Sequence, residues 1–167
     1  MFLDESRCNT DMTRRYAYSL GGSRAVDSAP LSKPKNTTIL SSIQFDGTLR
    51  YTTFSGGTTV ERFKRYLETD LLPHLNGNSV LIMDNMKSHH AKAVKNLLDS
   101  SEIRYIYLPP YSPDLNPIEK LWSKVKSFLR KFKARTLDAL PNAIQNAFHS
   151  VTVSDCSGWF RFCGYAL

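Results

Sequence analysis

Three acids stand where this sequence would place side chains for chemistry: Asp4, Asp84 and Glu119. Asp4 ends the apolar opening MFLD, Asp84 ends the run SVLIM, and Glu119 follows the run IRYIYL by way of a proline-rich turn. Ligands of sheets that alternate strands and helices collect beyond the carboxyl ends of the parallel strands, so acids at such ends can converge. Three hard oxygen donors without an accompanying His or Cys select Mg²⁺ or Mn²⁺. Two such ions about 4 Å apart activate a water or hydroxyl on one side of a phosphodiester and stabilise the leaving oxygen on the other. The implied chemistry is cleavage of nucleic acid. A plainer reading of Glu119 stands beside it, because Asn116 and Glu119 have the spacing of a capping box and the carboxylate could serve only to close a helix start.

The elements that must position these acids are legible to different degrees. Pro109, Pro110 and Pro113 exclude helix up to Leu115, after which Asn116 suits an N-cap and Pro117 the first helical position. Ile118, Leu121, Trp122, Val125, Phe128, Leu129 and Phe132 then recur at helical spacing as one apolar stripe, with Glu119 at its rim. Upstream, MFLD predicts a first strand and Arg15–Leu20 a short second one. Residues 37–45 and 49–54 alternate around Asp46-Gly47 and predict a hairpin. Thr58 with Glu61 predicts the cap of a helix carrying Val60, Phe63, Leu67 and Leu71 and stopping at Pro73. A buried strand at Ser79–Met83, a helix at His90–Leu98, a buried strand at Ile103–Leu108 and a helix at Thr136–Ser150 complete the order. An antiparallel start followed by alternating strands and helices predicts an α/β fold, a mixed sheet with helices on both faces. Residues 1–150 read as that domain, and 151–167 as an aromatic tail packed on it.

At 167 residues and 41% hydrophobic the chain suits one domain with a real core. Lys and Arg outnumber Asp and Glu by 22 to 15, a net +7 that favours a polyanionic partner. The excess concentrates between Glu119 and Arg135, where seven basic residues meet one acid. No apolar run approaches the roughly 20 residues that span a bilayer, and no membrane partner is expected. Cys8, Cys156 and Cys163 are odd in number and form no C-x-x-C, which argues against a disulfide framework and for a reducing cytoplasmic setting.

The stretches FLDES around Asp4, LIMDN around Asp84 and YLPPYSPDLNPIEKLWSKVK around Glu119 resemble the catalytic domain of mariner-type insertion-sequence transposases, within the ribonuclease-H-like DDE superfamily of transposases and integrases. The 34 residues between Asp84 and Glu119 match the spacing of that branch. The resemblance implies a ribonuclease-H-like fold, Asp4, Asp84 and Glu119 as the catalytic metal-binding acids, two Mg²⁺ or Mn²⁺ ions, and cleavage of element ends followed by strand transfer to target DNA. It also implies a dimer on DNA, at work in the cytoplasm on the nucleoid. Glu5 is the local rival of Asp4 but faces away from it in a strand. Asp114 and Glu102 are weaker rivals for the third acid, in a turn and at a strand entry. Asn85 and His89 are candidates to support the site from behind. Lys120, Lys124, Lys126, Arg130 and Lys133 would neutralise DNA phosphates without reading bases. Relatives carry helix-turn-helix modules ahead of the first catalytic strand, and none is expected here. Two other readings follow: an inactive remnant that binds DNA or a transposase partner, and a structure-selective nuclease.

Overall fold

The computed structural model describes residues 1–14, 16–30 and 34–165. Five strands, β1 (Phe2–Cys8), β2 (Thr37–Ile43), β3 (Leu49–Ser55), β4 (Val80–Met83) and β5 (Arg104–Tyr107), form one sheet in the order β3-β2-β1-β4-β5. The first three are antiparallel neighbours, whereas β4 and β5 run parallel to β1. Alternation along β1 sends Phe2 and Leu3 to opposite faces, and each face is covered by its own helices. Phe2, Ile39 and Ile43 pack with α3 (Ile118–Phe132), α4 (Ala139–His149) and α5 (Val153–Phe162); Leu3, Leu40, Leu81 and Met83 pack with α1 (Val60–Tyr66) and α2 (Lys92–Ser100). The expected mixed sheet between two helical layers is the fold.

Several expectations shift, each for a physical reason. Of the strand predicted over Arg15–Leu20, Arg15 lies outside the described residues and Tyr16–Leu20 form none. Both edges of β1 are already taken, by β2 and β4, so no hydrogen-bonding edge is left beside it, and Tyr16 and Tyr18 stand exposed in a long loop. β5 closes the sheet as an edge strand with Ile106 54% exposed, not the buried strand its apolar run predicts. The cap of α1 is Thr59 rather than Thr58, its hydroxyl accepting from the Arg62 N–H at 3.3 Å. Residues His89 and His90 belong to a turn, so α2 starts later, at Lys92. Thr136 does accept a hydrogen bond from the Ala139 N–H at 3.2 Å, but the helix itself begins at Ala139. Phe132 drops out of the stripe of α3, 45% exposed and stacked on Phe128.

The tail is a helix that the sequence reading passed over. Thr152 and Asp155 cap α5 reciprocally, and Phe160 meets Phe2 edge-on at 5.4 Å. Beyond α5, the Tyr165 hydroxyl donates to the Leu115 carbonyl at 2.7 Å, which braces the proline-rich turn from outside. The three cysteines are buried and unpaired. Among the described residues no helix is long and apolar enough to cross a membrane.

Candidate active site

The parallel half of the sheet delivers the first two acids together. Asp4 lies within β1, which pairs with β2 as far as Cys8 and so does not end at Asp4 as the opening MFLD predicts; the register Phe2↔Ile82 and Leu3↔Met83 leaves it level with Asp84, the first residue past β4. On the other side of β4, the Leu108 N–H donates to the Met83 carbonyl at 2.8 Å, so the chain leaves β5 beside Asp84. The prolines then carry it across the end of the sheet into α3, whose first turn bears Glu119. Asp4, Asp84 and Glu119 thereby line one cleft of ≈ 580 Å³ with Asn85, Pro110 and Tyr111. Glu5 lines it as well, although it leaves β1 on the face opposite Asp4.

The plainer account of Glu119 loses its ground in this geometry. Among the described residues no side chain caps α3 and the buried Asn116 amide oxygen has no partner; the Glu119 N–H donates to the backbone carbonyl of Asn116 at 3.1 Å. The Glu119 carboxylate is exposed at the cleft rim and free of that duty. Asp114 and Glu102 fall elsewhere, in a single turn ahead of α3 and at the entry to β5.

The two aspartates sit in unlike surroundings. Asp4 is 6% exposed; its Oδ1 accepts from the Glu5 N–H at 2.7 Å and its Oδ2 from the Trp122 indole at 3.1 Å. Burial above all, and then the neighbouring Asp84 and Glu119 charges, push its pKa up to about 7 against the pull of those hydrogen bonds. Asp84 moves the other way. Burial raises it, but the His89 imidazole and the Met86 N–H outweigh burial and hold it below the usual carboxylate range.

His89 is the best-held polar side chain near the site. It is fully buried, stacked on Phe63 at 4.2 Å, with Nδ1 2.8 Å from Asp84 Oδ1. Its Nε2 faces Glu5 Oε2 at 3.5 Å, beyond good hydrogen-bond length, and among the described residues neither of those two buried atoms has another partner. Two carboxylates nonetheless draw the imidazole toward its charged form: burial lowers its pKa, the Asp84 and Glu5 contacts raise it more, and it stands at about 9. Asn85 is exposed and contacts His90, which stacks on Tyr107 at 4.0 Å.

Among the described residues no three His, Cys, Asp or Glu side chains close on one point as a finished metal cage. Asp4 is turned to Trp122 and Asp84 to His89, while the Glu119 carboxylate has no hydrogen-bonded partner among the described residues. The donor chemistry fits a hard divalent cation that keeps several waters, because such ions take only one or two carboxylates each and the rest of their shell from solvent and phosphate.

Of the five cations proposed for DNA, three have internal partners. Lys124 pairs with Asp155, Lys133 with Asp27, and the Lys120 ammonium lies 3.8 Å from the Phe162 ring centre. Lys126 and Arg130 have no ion-pair partner among the described residues. Sequence reasoning missed Trp122 and Glu5. Trp122 was counted only as apolar, although a buried indole N–H needs an acceptor, and that requirement was the available signal. Glu5 was set aside for facing away from Asp4, and it is the direction it faces that brings it to His89.

A family model described as DDE superfamily endonuclease matches residues 1–141. The Tc1 transposable-element transposase of Caenorhabditis elegans is 28% identical over 97 residues, which is 56% of this chain and 36% of that protein. The Tcb2 transposase of Caenorhabditis briggsae is 29% identical over 75 residues, 45% of this chain and 28% of its own length. The chain thus spans about a third of each of these curated relatives. The Mos1 transposase paired-end complex with the left transposon end superposes with a TM-score of 0.79 over 96% of this chain and 50% of the Mos1 chain, at 19% identity. The Mos1 catalytic domain with Raltegravir and Mg gives 0.66 over 98% of this chain and 76% of that one, at 16% identity. With a match across most of its length and this sheet order, the chain belongs to the DDE superfamily endonuclease family and has the fold of a mariner-type transposase catalytic domain.

Proposed function

We propose that this chain is the catalytic domain of a DNA transposase that cuts element ends and transfers the freed strand to target DNA. The observation that carries the reading is the convergence on one cleft of an aspartate within β1, an aspartate just past β4 and a helix-start glutamate. Asp4, Asp84 and Glu119 would hold a pair of Mg²⁺ or Mn²⁺ ions. Such ions supply Lewis acidity on both sides of an in-line displacement at phosphorus. The protein's own part is to aim the carboxylates and to keep Asp84 ionised through His89. The tilt of α3, set by the proline-rich turn, keeps Glu119 on the cleft side, and Asn85 and His89 support the second acid from behind. Basic residues of α3 draw the phosphate backbone toward the cleft, and Lys126 and Arg130 carry most of that load. Because transposition joins two ends, the working unit is a dimer on DNA, acting on the nucleoid.

The test is nicking and strand transfer on a labelled element-end duplex with Mg²⁺ or Mn²⁺. Asp84→Asn and Glu119→Gln are expected to lose about 100-fold or more, at least what the loss of a supporting residue costs a metal site. Undiminished activity in Asp84→Asn sinks the assignment. Salt-sensitive DNA binding without metal-dependent cutting would instead favour an inactive DNA-binding remnant. Cutting of branched DNA without strand transfer would favour a structure-selective nuclease.

A further inference from the structure

We propose that Trp122 is a positioning residue that ties the first carboxylate of the site to the helix bearing the third. The proposal rests on the metal-site reading above and names a residue that reading does not use. An indole offers a single N–H donor and no acceptor, so a buried tryptophan is oriented by whichever acceptor it finds. Trp122 is 3% exposed, and its acceptor is Asp4 Oδ2 at 3.1 Å, 118 positions away in sequence. Both partners are buried, and the bond strengthens when the carboxylate is ionised, since hydrogen bonds to an ionised acceptor are among the stronger ones.

The bond matters because of where Trp122 sits. It follows Glu119 by three positions, nearly one turn of the same helix. A slip of α3 by one residue would rotate it by about 100°, which breaks the indole–Asp4 contact and swings Glu119 away from the cleft. One contact therefore fixes both the orientation of Asp4 and the rotation of the Glu119 helix against β1. Asp4 Oδ1 is engaged separately, by the Glu5 N–H at 2.7 Å, so the carboxylate is held at both oxygens. Each oxygen keeps capacity for a further partner, since a carboxylate accepts at about four sites and Asp4 lines the cleft. A phenyl ring in place of the indole would fill most of the same space in the core between β1 and α3 and donate nothing.

Trp122→Phe is therefore compared with the unaltered chain, with Mn²⁺ affinity read from the electron-spin signal of free Mn²⁺. Positioning predicts a loss of about 10- to 100-fold in affinity with the far-UV spectrum retained. It also predicts that Trp122→Phe adds nothing to the loss caused by Asp4→Asn, whereas a merely structural role predicts that the two losses multiply. A second measurement leaves the site untouched. In the Trp159→Phe protein Trp122 is the sole indole, and Mn²⁺ should quench its emission with the same midpoint as the spin titration. Asp4→Asn in that background should abolish the response. Affinity within about twofold in a folded Trp122→Phe protein, or emission indifferent to Mn²⁺ while the spin titration reports binding, overturns the proposal and leaves the metal reading intact. If the unaltered chain binds Mn²⁺ no better than Asp84→Asn does, the metal reading fails and takes this proposal with it.

Discussion

Asp4 and His89 both keep protons that an unfolded chain would release, and the cation-free protein should weaken as pH rises on account of each. Asp4, raised by burial first and then by Asp84 and Glu119 from 3.8 to about 7, binds more proton folded than unfolded across that interval. Stability therefore falls as pH climbs from roughly 4 to 7. His89, raised from 6.5 to about 9 because Asp84 and Glu5 outweigh its burial, contributes stability that is complete below its unfolded value and lost as pH passes 9. Thermal midpoints measured in EDTA from pH 4 to 9 should decline throughout. Asp4→Asn should flatten the lower half of that decline and His89→Gln the upper half. A midpoint that rises across pH 4–7 would contradict the description of Asp4. Saturating Mg²⁺ should remove the lower decline, because a cation favours the ionised carboxylate. Asp4, Asp84 and Glu119 could be singled out in the sequence by the motifs around them, and the structure lines one cleft with all three, although Asp4 lies within β1 and only Asp84 follows the end of its strand. The contact of Trp122 with Asp4 was not, since hydrophobic spacing assigns an indole to the core without saying where its N–H points.

At the scale of elements, the hairpin and the tail prove to be one structure. Asp46-Gly47 marked the turn from sequence alone, and Gly47 takes φ +90, a conformation that costs an L-residue steric strain. What the sequence could not disclose is that the turn also touches the start of α5: a Cβ at Gly47 would lie 2.8 Å from Val153 Cγ2. Gly47→Ala should therefore cost about 1–3 kcal/mol, from the backbone alone and more if Val153 cannot give way. Urea unfolding reads this directly, and an unchanged midpoint would show that the turn relaxes freely. The helix α5 was hidden because Gly158 interrupts it and its aromatic residues follow no clean helical period; the Thr152–Asp155 cap was its one local signature. Tyr16-Ala-Tyr18 misled in the opposite sense, an alternating pattern whose residues all stand exposed and cover no core face, with both edges of β1 already taken by β2 and β4.

Across the whole molecule, the basic helix α3 divides its charge between two sides, and only one of them is in line with Glu119. Lys126 and Arg130 follow Glu119 by seven and eleven positions and so lie along the same line of the helix. Lys120, Lys124 and Lys131 line instead a groove against α5, with Asp155 and Trp159. There Lys124 is already answered by Asp155, and off the end of the helix Lys133 is answered by Asp27. A phosphate must displace those carboxylates before it can use either lysine, whereas Lys126 and Arg130 can meet it at once. In anisotropy titrations of an element-end duplex over a range of salt, Lys126→Ala and Arg130→Ala should each reduce the slope of log affinity against log salt by about 1. Lys124→Ala and Lys133→Ala should each reduce it by less than half as much. Equal losses from all four would mean that DNA strips the internal partners away and that the phosphate track runs around both sides of the helix.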